Sequence, residues 1–199
     1  MAADVRLAGP DDAPAAGHSL SRAFRDDPLF EWFIPGIDKD ARARRLGRFF
    51  VETMRMHLRL GGVWTSADHK GAALWIPPGQ KIPLTRQWRT GIRYAGAVRR
   101  NVLRGVRTLS TTEKHHPKDP PHWYLAVLGT DPDHQGKGIG SALLAPVLER
   151  ADREGVPAYL ESSKERNVLY YERFGFRVQS QLTIPKGGPP VWLMWRDPR

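Results

Sequence analysis

Residues 122–150, HWYLAVLGTDPDHQGKGIGSALLAPVLER, contain the pattern that decides how this chain folds. The apolar run 123–130 predicts a β-strand, and the four residues 131–134 predict a turn. The apolar side chains that follow recur at helical spacing and predict a helix that begins near Gly136. The stretch is therefore interpreted as a strand, a turn and a glycine-rich helix start.

Three glycines, at positions 136, 138 and 140, distinguish this helix start. Without side chains they let successive backbone N–H groups turn toward one point. Those N–H groups are also the unpaired donors of a helix N-terminus, where the helix dipole is positive. A phosphate group is the ligand that this arrangement favours.

Length and composition limit the class of protein. A chain of 199 residues suits one domain with a full core, and we expect a single domain over residues 1–199. No apolar run approaches the roughly 20 residues that cross a membrane, and residues 1–14 lack the features of a secretory signal. The absence of cysteine excludes disulfides and a cysteine acyl-enzyme. We expect a cytoplasmic protein with no membrane partner.

The net charge of +10 is concentrated in one segment. Residues 81–118 contain ten basic side chains and a single acidic one, Glu113. This basic segment is interpreted as a solvated helical surface, as a contact for the 3′-phosphate of a nucleotide cofactor, or as a nucleic-acid surface. No nucleic-acid-binding motif accompanies the charges, so we do not expect nucleic acid as a partner.

The remaining segments alternate between strand and helix patterns. Strands are predicted at residues 5–8, 63–66, 72–76, 158–161, 176–178 and 191–195. Helices are predicted near residues 13–25, 39–60, 84–109 and 164–174, with a short aromatic-rich segment at 29–34. This order of elements indicates a mixed α/β protein.

Two motifs together carry a family resemblance. Residues 135–140, QGKGIG, resemble the Q/R-x-x-G-x-G/A motif of the GNAT acetyltransferase superfamily. Asn167, Tyr171 and the pair 175–176 are similar to the N-x-x-x-Y-x-x-x-G-F motif of the same superfamily. A glycine loop alone would be weak evidence, but the P-loop pattern GxxxxGK[ST] is absent and the two motifs flank a predicted strand.

Within the superfamily the chain is most similar to puromycin N-acetyltransferase and its actinobacterial relatives. The similarity lies in residues 23–28, residues 151–161 and the C-terminal arm that ends near residues 195–196. The resemblance implies an α/β fold with a mixed, mostly antiparallel central sheet, splayed middle strands and flanking helices.

The resemblance also implies acetyl-CoA as the acetyl donor. Its pyrophosphate would lie on the amides of residues 135–141, and its pantetheine arm would follow residues 128–130, where Gly129 suits a bulge or a close approach. Lys137 either adds charge near the phosphates or is solvated, and Asn167 either bonds the pantetheine arm or caps a helix. The expected cofactor-binding residues are Leu128, Gly129, Thr130, Gln135, Gly136, Lys137, Gly138, Ile139, Gly140, Ser141 and Asn167.

The implied reaction is direct transfer of an acetyl group to a primary amine in a ternary complex. The resemblance makes Tyr171 the general acid, since a phenol with a pKa of about 10 is protonated and can donate to the leaving thiolate. A backbone N–H at Leu128 is the implied oxyanion donor. Glu161, at the end of a predicted strand, either binds the ammonium group, deprotonates it through water, or points to the surface.

The acceptor is expected to be a small-molecule amine. The candidate acceptor-binding residues are Asp27, Trp32, Trp64, Trp75, His122 and Glu161. Core packing for the tryptophans, helix termination for Asp27 and a passive position for His122 are the competing interpretations. The histidines 115, 116 and 122 lack metal-site spacing, so we expect no metal. Acetylation of a protein or peptide amine and a CoA-binding sensor without catalysis are the alternatives, and the protein is expected to be a monomer or a homodimer.

Overall fold

A computed structural model describes residues 3–82 and 101–199 of the chain. In these residues seven strands form one sheet. The strands are β1 (Val5–Leu7), β2 (Val63–Ser66), β3 (Gly71–Ile76), β4 (Trp123–Thr130), β5 (Ala158–Ser162), β6 (Arg177–Thr183) and β7 (Pro190–Arg196). Their order is β1-β2-β3-β4-β5-β7-β6. β4 and β5 are parallel and every other neighbouring pair is antiparallel, as expected for a mixed, mostly antiparallel sheet.

Helices cover both faces of this sheet. They are α1 (Ala13–Ala23), α2 (Pro28–Phe33), α3 (Lys39–Leu58), α4 (Val102–His115), α5 (Ile139–Glu154) and α6 (Val168–Glu172). None of the helices in residues 3–82 and 101–199 combines the length and apolar character needed to cross a membrane.

The core has a layer on each face of the sheet. On one face, α5 packs Leu143, Leu144 and Val147 against side chains of β3, β4 and β5. On the other face, α1 and α3 pack Leu20 and Phe50 against β3. Full burial of each such side chain contributes roughly 1.5–3 kcal/mol, so these two layers hold the sheet rigidly between helices.

Close contact between α1 and α3 depends on a glycine. A Cβ on Gly17 would lie 2.8–2.9 Å from atoms of Val51, including backbone atoms. Only glycine therefore fits where the two helices cross. This contact fixes α1 against the sheet face that also carries Glu161.

The element boundaries differ from the sequence-based expectations in a few places. The helix expected over residues 39–60 ends at Leu58, and the helix expected near Gly136 begins at Ile139. The aromatic-rich segment 29–34 lies in α2, whose first helical residue is Pro28. Within the predicted helical region 84–109, residues 83–100 lie outside the described residues, and residues from 102 onward are helical.

Candidate active site

The parallel strands β4 and β5 separate in the middle of the sheet. Their register pairs Trp123 with Ala158 and ends at the pair Leu125 and Leu160. The register of β4 against β3 shifts at the same place, where Ala126 is the extra residue of a bulge. A bulge bends the strand that contains it. Residues 126–130 therefore present a backbone edge toward β5 without pairing with it, as the family resemblance implies.

The glycine loop continues directly from this edge. Gly136 and Gly138 have φ values of 77° and 79°, the left-handed region that glycine adopts readily. Gly138 is the N-cap of α5, and the first helical hydrogen bond runs from the Ala142 N–H to the Gly138 carbonyl. The N–H groups of residues 139–141 are consequently free of helical partners.

The surroundings of the loop fit a phosphate ligand. A Cβ at Gly136 or Gly138 would meet nothing within 4 Å, so both glycines border open space. Residues 135–138 are exposed, whereas the side chain of Ile139 is buried in the core below α5. The expected pyrophosphate contact at Ile139 therefore concerns its backbone N–H and not its side chain.

Gly129 has a structural function of its own. A Cβ at this position would lie 2.8 Å from Leu20 Cδ2, 3.0 Å from Ala23 Cβ and 3.1 Å from Phe24 Cε2. The end of α1 is thus the element that closely approaches Gly129. The bulge lies three residues earlier, at Ala126. Glycine at this position lets α1 rest directly on β4 beside the separated edge.

Asn167 and Tyr171 lie on the segment that follows β5. Asn167 occupies the N-cap position of α6, yet its side chain makes no capping hydrogen bond within the described residues. Tyr171 is 8% exposed and belongs to the core cluster below α5. Burial, together with the nearby Tyr170 and Asp27, raises the pKa of Tyr171 well above that of an ordinary phenol. The hydroxyl therefore keeps its proton at neutral pH.

Glu161 lies on the sheet face covered by α2, among aromatic side chains. Its carboxylate is 14% exposed and accepts a hydrogen bond of 3.1 Å from the Tyr159 hydroxyl. Tyr124 stands opposite Tyr159 in the parallel register. Burial and the charge of Glu161 raise the pKa of both tyrosines, so both remain hydroxyl donors beside the carboxylate.

Two histidines complete the surroundings of Glu161. The His116 ring lies edge-on to Tyr124 and Tyr159 at 4.7 and 4.9 Å between ring centroids, and its Nδ1 is 3.7 Å from Glu161 Oε1. His122, a predicted acceptor-binding residue, contacts His116 and the ring of Trp195. The name Glu161 cluster is used below for six residues: His116, His122, Tyr124, Tyr159, Glu161 and Trp195.

Sequence reasoning missed four members of the Glu161 cluster, namely His116, Tyr124, Tyr159 and Trp195. Tyr159 was detectable, since residues two apart on a strand point to the same face and Glu161 follows at that spacing. Tyr124 and His116 carried no such signal. They reach Glu161 because β4 lies beside β5 and because α4 ends above the same face.

Asp27 lies at the start of α2, where the structure already engages both of its oxygens. Oδ1 accepts from the Leu29 N–H at 2.9 Å, and Oδ2 accepts from the Ser163 hydroxyl at 2.6 Å. Burial raises the pKa of this carboxyl against the opposing effects of Ser163 and Lys164. These bonds tie α2 to the end of β5, and contact of Asp27 with the acceptor stays a prediction.

A cleft of about 390 Å³ lies next to the contact between α2 and the end of β5. The Lys164 ammonium bonds Asp26 Oδ1 at 2.6 Å on its wall. The cleft is lined by Asp26, Pro28, Ser163, Lys164, Glu165, Arg166, Pro190 and Trp192. It opens beside the carboxyl end of β5 and borders β7, which contributes Pro190 and Trp192.

The three predicted acceptor-binding tryptophans have different positions. Trp32 of α2 packs on the cluster that contains Tyr159, on the Glu161 side of the sheet. Trp75 is fully buried beneath α5, on the opposite face, and a side chain enclosed in the core cannot line an open pocket. Trp64 pairs with Ala73 on that same opposite face. Trp75 therefore has the core position that was the competing interpretation, and Trp64 lies on the sheet face opposite Glu161, where contact with the acceptor stays a prediction.

The two parallel strands β4 and β5 separate beside a glycine-rich helix start. This combination of fold and site is that of a CoA-dependent acyltransferase. A model of the acetyltransferase (GNAT) family matches residues 68–176. The chain belongs to this family. It is an N-acetyltransferase that uses acetyl-CoA, as the family does.

Similar proteins extend the match over the whole chain. An uncharacterized N-acetyltransferase of Schizosaccharomyces pombe is 28% identical over 198 residues, covering 94% of this chain and 80% of that protein. A solved structure of histone acetyltransferase HPA2 and related acetyltransferase from Corynebacterium glutamicum has a TM-score of 0.70 and 26% identity, covering 100% of this chain and 98% of that one.

A polyamine N-acetyltransferase of Drosophila melanogaster, which forms N-acetylagmatine, has a TM-score of 0.67 and 16% identity, covering 97% of this chain and 98% of that one. At that identity the likeness shows the fold alone.

Proposed function

We propose that the protein transfers the acetyl group of acetyl-CoA directly to a primary amine of a small molecule, in a ternary complex. This proposal rests mainly on the low exposure of Glu161 and on the aromatic rings around it. A carboxylate that is 14% exposed lies among aromatic rings on the face next to the separated strands. A partly desolvated carboxylate attracts an ammonium group, and aromatic faces attract cations as well.

The donor side of the site is assigned to the glycine loop and to the free edge of β4. The backbone N–H groups of residues 135–141 would hold the pyrophosphate at the positive end of α5. Residues 128–130 would pair with the amides of the pantetheine arm. Asn167, whose side chain makes no capping hydrogen bond to the part of the chain that the structure describes, would bond the same arm. The N–H of Leu128 is proposed as the donor to the oxyanion that forms at the acetyl carbonyl.

Tyr171 is proposed as the general acid. A buried phenol with a raised pKa is protonated at neutral pH, and its proton is the one that the departing sulfur needs. The phenolate left behind takes the surplus proton of the newly acetylated nitrogen, which restores Tyr171 for the next turnover.

A small acceptor is favoured over a peptide by the way α2 and α4 meet. The Arg104 guanidinium on α4 donates a 2.6 Å hydrogen bond to the Trp32 carbonyl on α2 and lies 5.3 Å from the centroid of the Trp32 ring. This contact joins the two helices on the Glu161 side, where an extended peptide would need an open groove. The resemblance to puromycin N-acetyltransferase and its relatives makes puromycin one of the amines to test without identifying the acceptor, and the proposal treats residues 1–199 as one domain.

A thiol-release assay with an amine panel tests the proposal. The probes are tyramine, agmatine, spermidine and puromycin, with a lysine-containing histone-tail peptide as the competing class of acceptor. We expect turnover of at least one small amine, and a raised acceptor KM in the Glu161→Gln variant. The Glu149→Gln variant changes an exposed carboxylate of α5 and is the matched control.

Two results would contradict the proposal. Turnover of the peptide alone would replace the small amine with a protein acceptor. Calorimetric binding of acetyl-CoA without turnover of any probe would favour a CoA-binding sensor without catalysis.

A further inference from the structure

Two histidine rings meet beside Glu161, and the transfer scheme above leaves His116 without a function. His116 is the C-cap that directly follows α4, and His122 directly precedes β4. Their Nε2 atoms are 3.3 Å apart, and their ring centroids are 5.2 Å apart. Two imidazole nitrogens at this distance form a hydrogen bond only if one of them carries the proton.

The other contact of His122 decides which nitrogen carries that proton. His122 Nδ1 lies 2.9 Å from the Pro120 carbonyl oxygen, and a carbonyl only accepts, so Nδ1 is the donor. Burial lowers the pKa of His122, and the ring is accordingly neutral at pH 7. In a neutral ring with a proton on Nδ1, Nε2 is an acceptor. The hydrogen of the shared contact therefore belongs to His116 Nε2.

In the neutral form of His116, which is the form that can act as a base, this assignment leaves the lone pair at Nδ1. That atom faces Glu161 Oε1 across 3.7 Å, which is too long for a direct hydrogen bond. A neutral nitrogen and a carboxylate oxygen are both acceptors, so the group that joins them must supply hydrogens to both. A primary ammonium group carries three N–H donors and fits this requirement.

We propose that His116 is the catalytic base, which takes the proton of the acceptor's ammonium group at Nδ1 while Glu161 holds that group, and that His122 is a positioning residue that fixes the His116 tautomer. This inference rests on the proposed function and deepens it, because it names the group that receives the proton. Glu161 then binds the ammonium group and does not deprotonate it. One of its oxygens already accepts from Tyr159, whereas His116 Nδ1 has a free lone pair.

In the full reaction, one proton moves from the acceptor's ammonium group to His116. The N–H bond of the ammonium breaks and an Nδ1–H bond forms, which gives a neutral amine and an imidazolium. The imidazolium stands beside the Glu161 carboxylate, which stabilises it. His116 is 27% exposed, so its proton can pass to solvent after the amine has been acetylated.

The charged and titratable groups around His116 come from several elements. Tyr159 and Glu161 belong to β5, Tyr124 belongs to β4, and Glu113 lies one turn earlier on α4, where its charge contributes to raising the pKa of Tyr124. His122 also lies in this set. His122, Tyr124 and Tyr159 are neutral. The charges around His116 in this set are therefore those of Glu113 and Glu161, and these negative charges favour a cation at the position between His116 and Glu161.

Imidazole NMR tests the arrangement without any turnover. In protein labelled with ¹⁵N-histidine, long-range ¹H–¹⁵N spectra distinguish a protonated ring nitrogen from an unprotonated one. We expect His122 to be protonated at Nδ1 and His116 at Nε2, with signals assigned from the His116→Gln and His122→Gln variants. A His116 ring protonated at Nδ1 with a bare Nε2 would overturn the proposal.

Kinetics test the function of the base. With the small amine that turns over fastest in the panel, His116→Gln should lower kcat at least tenfold and remove the rising limb of the pH–rate profile. Acetyl-CoA affinity, measured by calorimetry, should not change. His115→Gln is the matched control, since His115 is exposed and its Nδ1 bonds the Thr111 carbonyl of its own helix. It should behave like the unaltered protein.

The possible outcomes are distinct. A His116→Gln variant with the normal rate and the normal pH profile overturns the assignment of the base. If no amine of the panel is acetylated, the proposed small-amine function is wrong. The NMR spectra still test the arrangement of His116, because the expected tautomers support the proposal and the opposite tautomers overturn it.

Discussion

Tyr159 and Glu161 point to the same face of β5, and the Tyr159 hydroxyl donates a hydrogen bond to Glu161 Oε1 across 3.1 Å. The strand itself produces this geometry, since side chains two residues apart share one face. Burial and the adjacent charge raise the pKa of Tyr159, so the donor is permanent over the neutral range. The hydroxyl thus fixes the direction in which the second carboxylate oxygen points.

Replacing Tyr159 by phenylalanine should weaken acceptor binding while leaving donor binding intact. The variant loses one hydrogen bond to a charged group, which contributes about 1.5–3 kcal/mol, and a factor of ten in affinity corresponds to about 1.4 kcal/mol. We expect the acceptor KM to rise roughly tenfold, with an unchanged calorimetric Kd for acetyl-CoA. An unchanged acceptor KM would show that Tyr159 does not orient Glu161 for binding.

Gly140 and Tyr170 form a second pair that can be tested together. A Cβ at Gly140 would lie 2.7 Å from the Tyr170 hydroxyl oxygen but 3.6 Å from the ring carbon that bears it. Gly140→Ala should therefore displace Tyr170 or the first turn of α5. We expect acetyl-CoA affinity, measured by calorimetry, to fall about tenfold, as when about 1.4 kcal/mol of binding free energy is lost.

The double variant provides the control for this prediction. Tyr170→Phe removes the oxygen, so the nearest atom lies at an ordinary contact distance of 3.6 Å. Gly140→Ala combined with Tyr170→Phe should recover the affinity of Tyr170→Phe alone. Equal losses in the presence and absence of the hydroxyl would mean that the steric explanation is wrong.

Two glycine-to-alanine substitutions should change stability in opposite directions. At Gly129 the new methyl group would press into Leu20, Ala23 and Phe24, and overpacking of this kind costs about 1–3 kcal/mol. At Gly47, inside α3, a Cβ meets nothing within 4 Å, and alanine is favoured over glycine in a helix by about 1 kcal/mol. Urea unfolding of the two variants measures both effects, and a Gly129→Ala protein as stable as the unaltered one would contradict the packing argument.

The backbone elements of the proposed donor side were predictable from the sequence because they depend on local features. The glycines at 136 and 138, the helix start and the apolar strand 123–130 lie within one continuous stretch. Each of these features follows from the conformational preferences of the residues in it, without reference to the rest of the chain. The structure places these elements as the motif predicts and moves only the helix boundary, from Gly136 to Ile139.

The proposed acceptor side depends on contacts between distant parts of the chain, and sequence reasoning predicted only some of its residues. His116 reaches Glu161 because α4 ends above the sheet face that β5 presents, a relationship that no local pattern encodes. The positions of Trp64 and Trp75 could not be predicted for a similar reason. Aromatic side chains in strands give no sign of which sheet face they occupy until the neighbouring strands are known.

A buried histidine on α3 gives the protein a stability that depends on pH. His57 is almost fully buried, and its Nδ1 donates to the Thr53 carbonyl at 2.7 Å. Burial lowers the pKa of His57 below the value of about 6.5 that it has in an unfolded chain. In the interval between the two pKa values the unfolded state binds more protons than the folded state. The free energy of unfolding therefore falls as the pH is lowered from about 6.5 toward the folded-state pKa.

Urea unfolding between pH 8 and pH 5.5 should show this loss of stability, and His57→Gln should reduce its slope. Burial lowers the pKa of His122 as well, so part of the slope should remain in the variant. His115→Gln, which removes a histidine from an exposed position of α4, should leave the slope unchanged. Equal slopes for His57→Gln and the unaltered protein would show that His57 does not resist protonation in the folded state.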